Sequence, residues 1–443
     1  ESAALALRCG CDLNCGDMYR HLNDAIEQGL LDEADLDRSV KRLFAARFRL
    51  GMFDPPAQVP FASIPTEKVR CREHLDLALR MARESIVLLK NNGVLPLRKD
   101  LNHVVVVGPN AQNDVALYAN YNGFSPTMVT PFDRILAKVS VGTQIHYGKG
   151  CDLWRDEPLS EAELNWCIRG DTDVVIAVLG YTTELEGEEG AVALSDGGGD
   201  RIRIGLPGRQ LELLRSCRER AAGKPVVVVL LSGSPIDLSE VAPLCDAIVY
   251  AWYPGEQGGN AIADVLFGDY NPGGRLPVTF VASLAQLPPF TDYRMAGRTY
   301  RFMSAAPLYR FGYGLSYTRF TYANPKLSQA AIRPGDRVAV TVEVTNAGNV
   351  AGDEVVQLYV SDVQASVPVP RHHLEGFRRI HLVPGETTTV CFELTPEQLA
   401  CYADDGTPMV EPGDFRLSLG GGQPDDPTAA TCQVTLQVTT PTP

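Results

Sequence analysis

Four continuous apolar runs, Val104–Val107, Val174–Leu179, Val226–Leu231 and Ala247–Ala251, constrain this chain more than any other feature. A strand with one face in water alternates apolar and polar residues. These runs do not alternate, so both of their faces must be covered. Helix candidates are interleaved with them: His74–Lys90, Arg209–Ala222 and Gly258–Phe267. Strands alternating with helices in this way predict an α/β region with a mainly parallel sheet between helix layers.

The two ends read differently. Residues 1–54 look helical. Leu36, Val40, Leu43, Phe44 and Phe48 fall on one helical face, acidic residues lead, basic residues trail, and Gly51 follows the last apolar position. Asp54-Pro55-Pro56 stops that segment, and a Pro-containing linker follows. From about Phe320 the chain carries short alternating runs, at Thr341–Thr345, Val355–Val360, Thr388–Leu394 and Phe415–Leu419, separated by turns such as Pro384-Gly385-Glu386. Such spacing predicts a β-sandwich. The domains expected are therefore residues 1–54, a linker over 55–80, an α/β domain over 81–318 and a β-sandwich over 319–443.

The 443 residues fit two or three domains. A net charge of −14 argues against nucleic acid or an anionic membrane surface as partner and suits a neutral ligand such as a sugar. No apolar run is long enough to span a bilayer. The chain opens at Glu1 without a Met, and it reads as a fragment or a processed product. The 11 cysteines are scattered and do not resemble a disulfide framework. Cys9, Cys11 and Cys15 cluster without a second Cys pair at zinc spacing, so buried thiols are expected there and no metal.

The run ending at Gly180 opens into Tyr181-Thr-Thr-Glu184-Leu-Glu186-Gly-Glu188-Glu189. Open α/β sheets bind ligands beyond the carboxyl ends of their strands. Crowded like charges raise the pKa of at least one member of such a group. A carboxylic acid that keeps its proton near neutral pH is what a glycosidase uses on its leaving oxygen.

Several ordered segments resemble glycoside hydrolase family 3, the β-glucosidase and β-xylosidase group. They are Ser39–Asp54 (SVKRLFAARFRLGMFD), Ala82–Leu97 (ARESIVLLKNNGVLPL), Val104–Ala111 (VVVVGPNA), Ala251–Phe280 (opening AWYPGEQGG), Tyr309–Phe320 (YRFGYGLSYTRF) and Leu374–Gly385 (LEGFRRIHLVPG). The resemblance implies the C-terminal remnant of a (β/α)8 barrel, then an α/β sandwich, then a fibronectin-III-like β-sandwich. It implies a retaining, exo-acting β-D-glycosidase with no cofactor, acting on terminal β-glucosyl or β-xylosyl residues. Its acid/base would be Glu186, with Glu188 a close competitor, while Glu184 and Glu189 are solvated or shape the loop. Asp12 matches an Asp near the close of the family's barrel and is not read as the nucleophile. The nucleophile Asp is expected upstream of Glu1, on a missing barrel segment of the same protein or on a second polypeptide. The alternative is a non-catalytic carbohydrate-binding or scaffold fragment.

The remaining motifs carry less. Gly255, Gly258 and Gly259 predict a tight strand-to-helix turn, because no Lys-Ser/Thr follows as a phosphate loop requires. Glu256 and Gln257 can face the cleft. Trp154, Trp166 and Trp252 can stack on sugars, although a lone Trp is more often core. His372 and His373 are expected at the surface. The segment Asp196–Arg201 reads as a glycine connector or as a support for the acidic loop.

Overall fold

A computed structural model describes residues 1–186 and 201–440. It contains two compact units, residues 1–74 and 75–443.

The first unit holds α1 (Ser2–Arg8), α2 (Leu22–Glu27) and α3 (Glu33–Arg49). Ala3, Ala4 and Leu7 of α1 meet Leu22, Ala25 and Leu31 in a small core. Helix α3 starts with Glu33 and Asp35, ends with Arg47 and Arg49, and is followed by Gly51 at φ +70°, which a side chain on Cβ would strain. Only the start of its apolar face reaches that core, through Leu36, while Val40, Phe44 and Phe48 are 40%, 41% and 63% exposed. Asp12 accepts a hydrogen bond from Arg42 Nη1 at 3.1 Å, tying the segment after α1 to α3. The Ser39 hydroxyl, then Arg42, hold the Asp12 carboxyl below the usual carboxylate range. The expectation of buried thiols at Cys9, Cys11 and Cys15 is corrected, since all three are exposed. They follow the last turn of α1, beyond the side chains that α2 covers.

Most of α4 (Arg72–Ser85) belongs to the second unit. The expected helix over His74–Lys90 stops at Ser85. Its second half is strand β1 (Val87–Asn91), paired antiparallel with β6 (Ala247–Tyr250). Ile86, Val87, Leu88 and Leu89 are all buried, and four successive buried residues suit a strand between two layers better than an amphipathic helix. Between these strands in sequence lie β2 (His103–Val107), β3 (Gln144–Gly148), β4 (Val174–Gly180) and β5 (Val226–Leu231). The sheet order is β1-β6-β5-β4-β2-β3, parallel throughout except for β1.

Alternate residues of each strand enter different cores. Val175, Ala177 and Leu179 pack with α6 (Glu161–Cys167) and α7 (Gln210–Arg220). Val174, Ile176 and Val178 pack with α5 (Pro131–Lys138) and α8 (Gly258–Leu266). The sheet is therefore the middle layer, as the unbroken apolar runs predict.

The β-sandwich has a sheet ordered β11-β10-β15-β16-β8 facing another ordered β12-β9-β7. These are β7 (Phe320–Leu327), β8 (Ala331–Ile332), β9 (Val338–Asn346), β10 (Gly352–Asp362), β11 (His373–Leu382), β12 (Thr387–Leu394), β15 (Gly413–Gly420) and β16 (Thr431–Val438), with a hairpin of β13 (Cys401–Tyr402) and β14 (Pro408–Met409) at the side. Val338, Val340, Val342 and Val344 show the period of two that buries one face.

The sandwich and the α/β domain meet through charge. Arg275 pairs with Glu354 at 3.0 Å, with side chains only 9% and 4% exposed, and Tyr322 donates to the same carboxylate. Arg379 donates to Asp353 at 2.7 Å and to Tyr270 Oη at 2.8 Å. His372, expected at the surface, is instead buried at this junction. Its Nε2 lies 3.0 Å from Gln423 Oε1, and Gln423 donates to the Phe311 carbonyl. Burial moves the His372 imidazole below its ordinary value.

Candidate active site

The carboxyl ends of β4, β5 and β6 converge on one carboxylate. Strand β4 ends at Gly180, whose φ of +120° and 2.0 Å approach of a would-be Cβ to the Leu231 carbonyl allow only glycine. Gln210 of α7 closes this corner, accepting from Gly180 N at 2.7 Å and donating to Gly180 O at 2.8 Å. Tyr181 N then donates to Leu231 O at 2.7 Å, holding the first loop residue beside the end of β5. Glu186 N closes the turn onto Thr182 O at 3.1 Å.

The Glu186 side chain is 9% exposed. Its Oε1 accepts from the Ser232 hydroxyl at 3.0 Å and from the Ser234 hydroxyl. Its Oε2 accepts from Gly233 N at 2.7 Å and from the Tyr253 hydroxyl. Arg201 Nε lies 3.5 Å from Oε1. Ser232, Gly233 and Ser234 follow β5, and Tyr253 follows β6, so the strands aim these donors at one point. Burial, then the neighbouring Glu186 charge, push the Tyr253 phenol far above its ordinary value, so its proton stays on oxygen and is available to Glu186.

Arg201 is held at 12% exposure, with Nη2 donating to the Pro235 carbonyl and its guanidinium 4.3 Å from the Tyr181 ring centroid. Beside it is a cavity of about 510 Å³ lined by Trp154, Tyr181, Leu185, Arg201, Arg203 and Leu206, among others. Glu184 is exposed. Glu188, Glu189 and Asp196 lie outside the described residues.

A second loop reaches the same edge. Asn120 Nδ2 donates to the Glu186 carbonyl at 3.3 Å, and Ser125 Oγ donates to Glu256 at 2.7 Å. Glu256 O accepts from Val129 N and so joins the two loops, while Gln257 Oε1 accepts from Asn260 Nδ2 within the first turn of α8. Gly258 and Gly259 open α8 in the expected strand-to-helix turn. A Cβ on Gly259 would lie 2.2 Å from the Thr130 carbonyl.

The three Trp residues separate. Trp252 packs on Tyr250 and Phe280, and its Nε1 donates to Ser85 O. Trp166 stands edge-on to His146, and Trp154 lines the cavity. Among the described residues no group of three or more His, Cys, Asp or Glu side chains could hold a metal ion. The sequence reading missed Ser232, Gly233, Ser234 and Tyr253. Their only local signal is position, each within a few residues of a buried strand's carboxyl end.

Residues 86–317 match the model of the glycosyl hydrolase family 3 C-terminal domain, and residues 354–423 match a fibronectin type III-like domain. The chain belongs to glycoside hydrolase family 3. It is 36% identical over 96% of its length to a β-xylosidase of Formosa agariphila, covering 60% of that protein. It is 34% identical over 95% of its length to a periplasmic β-glucosidase of Salmonella typhimurium, covering 58% of it. A β-glucosidase structure from Erythrobacter marinus superposes with a TM-score of 0.81 at 36% identity, over 98% of this chain and 60% of that one. The chain thus spans about three-fifths of the length of these family 3 relatives. The expected family and its α/β sandwich followed by a fibronectin-III-like sandwich are both borne out.

Proposed function

We propose that this chain is the acid/base-bearing portion of a retaining, exo-acting β-D-glycosidase for terminal β-xylosyl or β-glucosyl residues. The observation that carries the reading is the acidic loop after β4, anchored through Glu186 at the carboxyl edge of a parallel sheet in a family 3 chain. The relatives named β-xylosidase and β-glucosidase supply the substrate class.

The chemistry follows from two carboxyl groups about 5–5.5 Å apart across the sugar. A carboxylic acid of the loop, Glu186 or Glu188, gives its proton to the glycosidic oxygen as the bond from C1 to that oxygen breaks. A nucleophile Asp, on a portion outside this chain, bonds to C1. Water then attacks C1, its proton passes to the same loop carboxylate, and the ester to Asp is released. No cofactor is required, and the carbohydrate is the only small-molecule partner. The missing barrel portion, from the same protein or a second chain, is the macromolecular one.

The test is hydrolysis of 4-nitrophenyl β-xyloside and β-glucoside by the chain assembled with the portion that carries the nucleophile. Proton NMR reads the first anomer formed. Release of the β-anomer ahead of mutarotation supports the reading. A first-formed α-anomer, or no hydrolysis by the assembled protein, overturns it.

A further inference from the structure

The five donors around Glu186 describe a group that is held, rather than one that gives a proton away. A carboxylate offers about four lone-pair positions. Here Oε1 meets two hydroxyls and a guanidinium, and Oε2 meets a backbone N–H and a phenol. All five come from the sheet edge or from Arg201, so both oxygens face back into the protein. A general acid must present an O–H within about 2.6–3.2 Å of the substrate oxygen. Catalytic hydrogen bonds are often loose before substrate binds. The contacts of Glu186 are instead saturated: turning Oε2 outward would take the acceptor from Gly233 N and Tyr253, and turning Oε1 outward would take it from Ser232, Ser234 and Arg201.

Resting on the glycosidase reading above, we propose that Glu186 is a positioning residue. It fixes the first turn of the acidic loop against the ends of β5 and β6, and proton transfer is done by a different loop carboxyl. The Ser232-Gly233-Ser234 turn, Tyr253 and Arg201 form its clamp. Asn120 adds a hold on the Glu186 backbone, so side chain and main chain are both fixed.

Azide separates holding from proton transfer. When the acid/base is shortened, azide enters the vacated space and attacks C1 of the glycosyl-enzyme. A C–N bond forms as the ester to the nucleophile breaks, and β-glycosyl azide is released. In the assembled glycosidase with an activated aryl glycoside, Glu186→Ala is expected to lower kcat about 10²-fold, the scale of a small misplacement. It should keep the alkaline limb of the pH profile and yield no glycosyl azide. Glu188→Ala should lose that limb and yield β-glycosyl azide. Azide product from Glu186→Ala, with the limb lost, would overturn the proposal and leave the glycosidase reading standing. Parental hydrolysis of oligosaccharide by both variants would sink that reading itself. If Glu186→Ala does not fold, Tyr253→Phe and Ser234→Ala each remove one donor. They should lower kcat with the alkaline limb in place, and parental kcat in both would refute the clamp.

Discussion

Helices α3 and α8 differ in composition and in fate: α3 is rich in charge with one apolar stripe, and α8 is apolar almost throughout. Helix α8 buries Ala261, Ile262, Val265 and Leu266 against the sheet. Helix α3 leaves Val40, Phe44 and Phe48 substantially in solvent, with Phe48 and Phe53 rings 4.6 Å apart as partial cover. The periodicity of a helix says which face is apolar. It does not say what covers that face. For α8 the cover is β-strands within the same unit, while the first unit supplies α3 with little.

The comparison has measurable consequences. The largest effect is expected where the sheet itself is touched. Gly180→Val forces a side chain into the Leu231 carbonyl and a left-handed backbone, and should cost more than about 4 kcal/mol, read as loss of cooperative urea unfolding in the second unit. Next comes the helix pair itself. Ile262→Ala in α8 should cost about 2–5 kcal/mol by chemical denaturation, and Val40→Ser in α3 at most about 0.5 kcal/mol. Equal costs at the two positions would break the contrast.

The smallest effect concerns titration in the buried layer. His103, on β2, is 1% exposed, with Nε2 2.8 Å from His146 Nδ1 and Nδ1 3.2 Å from Asp171. Burial lowers its pKa from 6.5, with Asp171 opposing and His146 assisting. The neutral ring is thus favoured in the fold, and the unfolded chain binds the proton more readily. Stability should fall as pH drops through about 6.5. His103→Gln should flatten the dependence of Tm on pH between about 7.5 and 5, and an unchanged slope would remove His103 from the account.

Much of the fold was legible because two-sided burial writes itself as unbroken apolar runs. Strands β4 and β5 lie where those runs lie. Strand β1 was not legible as a strand: it follows a helix without a glycine or proline between, and only its pairing with β6 distinguishes it. Strand β3 carries His146 and Tyr147 and lies at the sheet edge, so its run is broken. The acidic loop could be located from sequence, whereas its clamp could not. Ser232, Ser234 and Tyr253 reach Glu186 from 46, 48 and 67 residues away, a closeness that only the sheet order creates. His372 was misplaced for a related reason, since its burial depends on Gln423 and Phe311 from distant segments.

The ion pair of Arg275 with Glu354 has a consequence for how such proteins can be recombined. Each partner sits in a different module, and cutting the chain between them strands a charge on a surface shaped to exclude water, a loss several times that of an exposed pair. Natural shuffling or laboratory chimeras should therefore carry the α/β layer and its β-sandwich as one inherited block, with successful crossover points falling ahead of the block and not at the seam inside it.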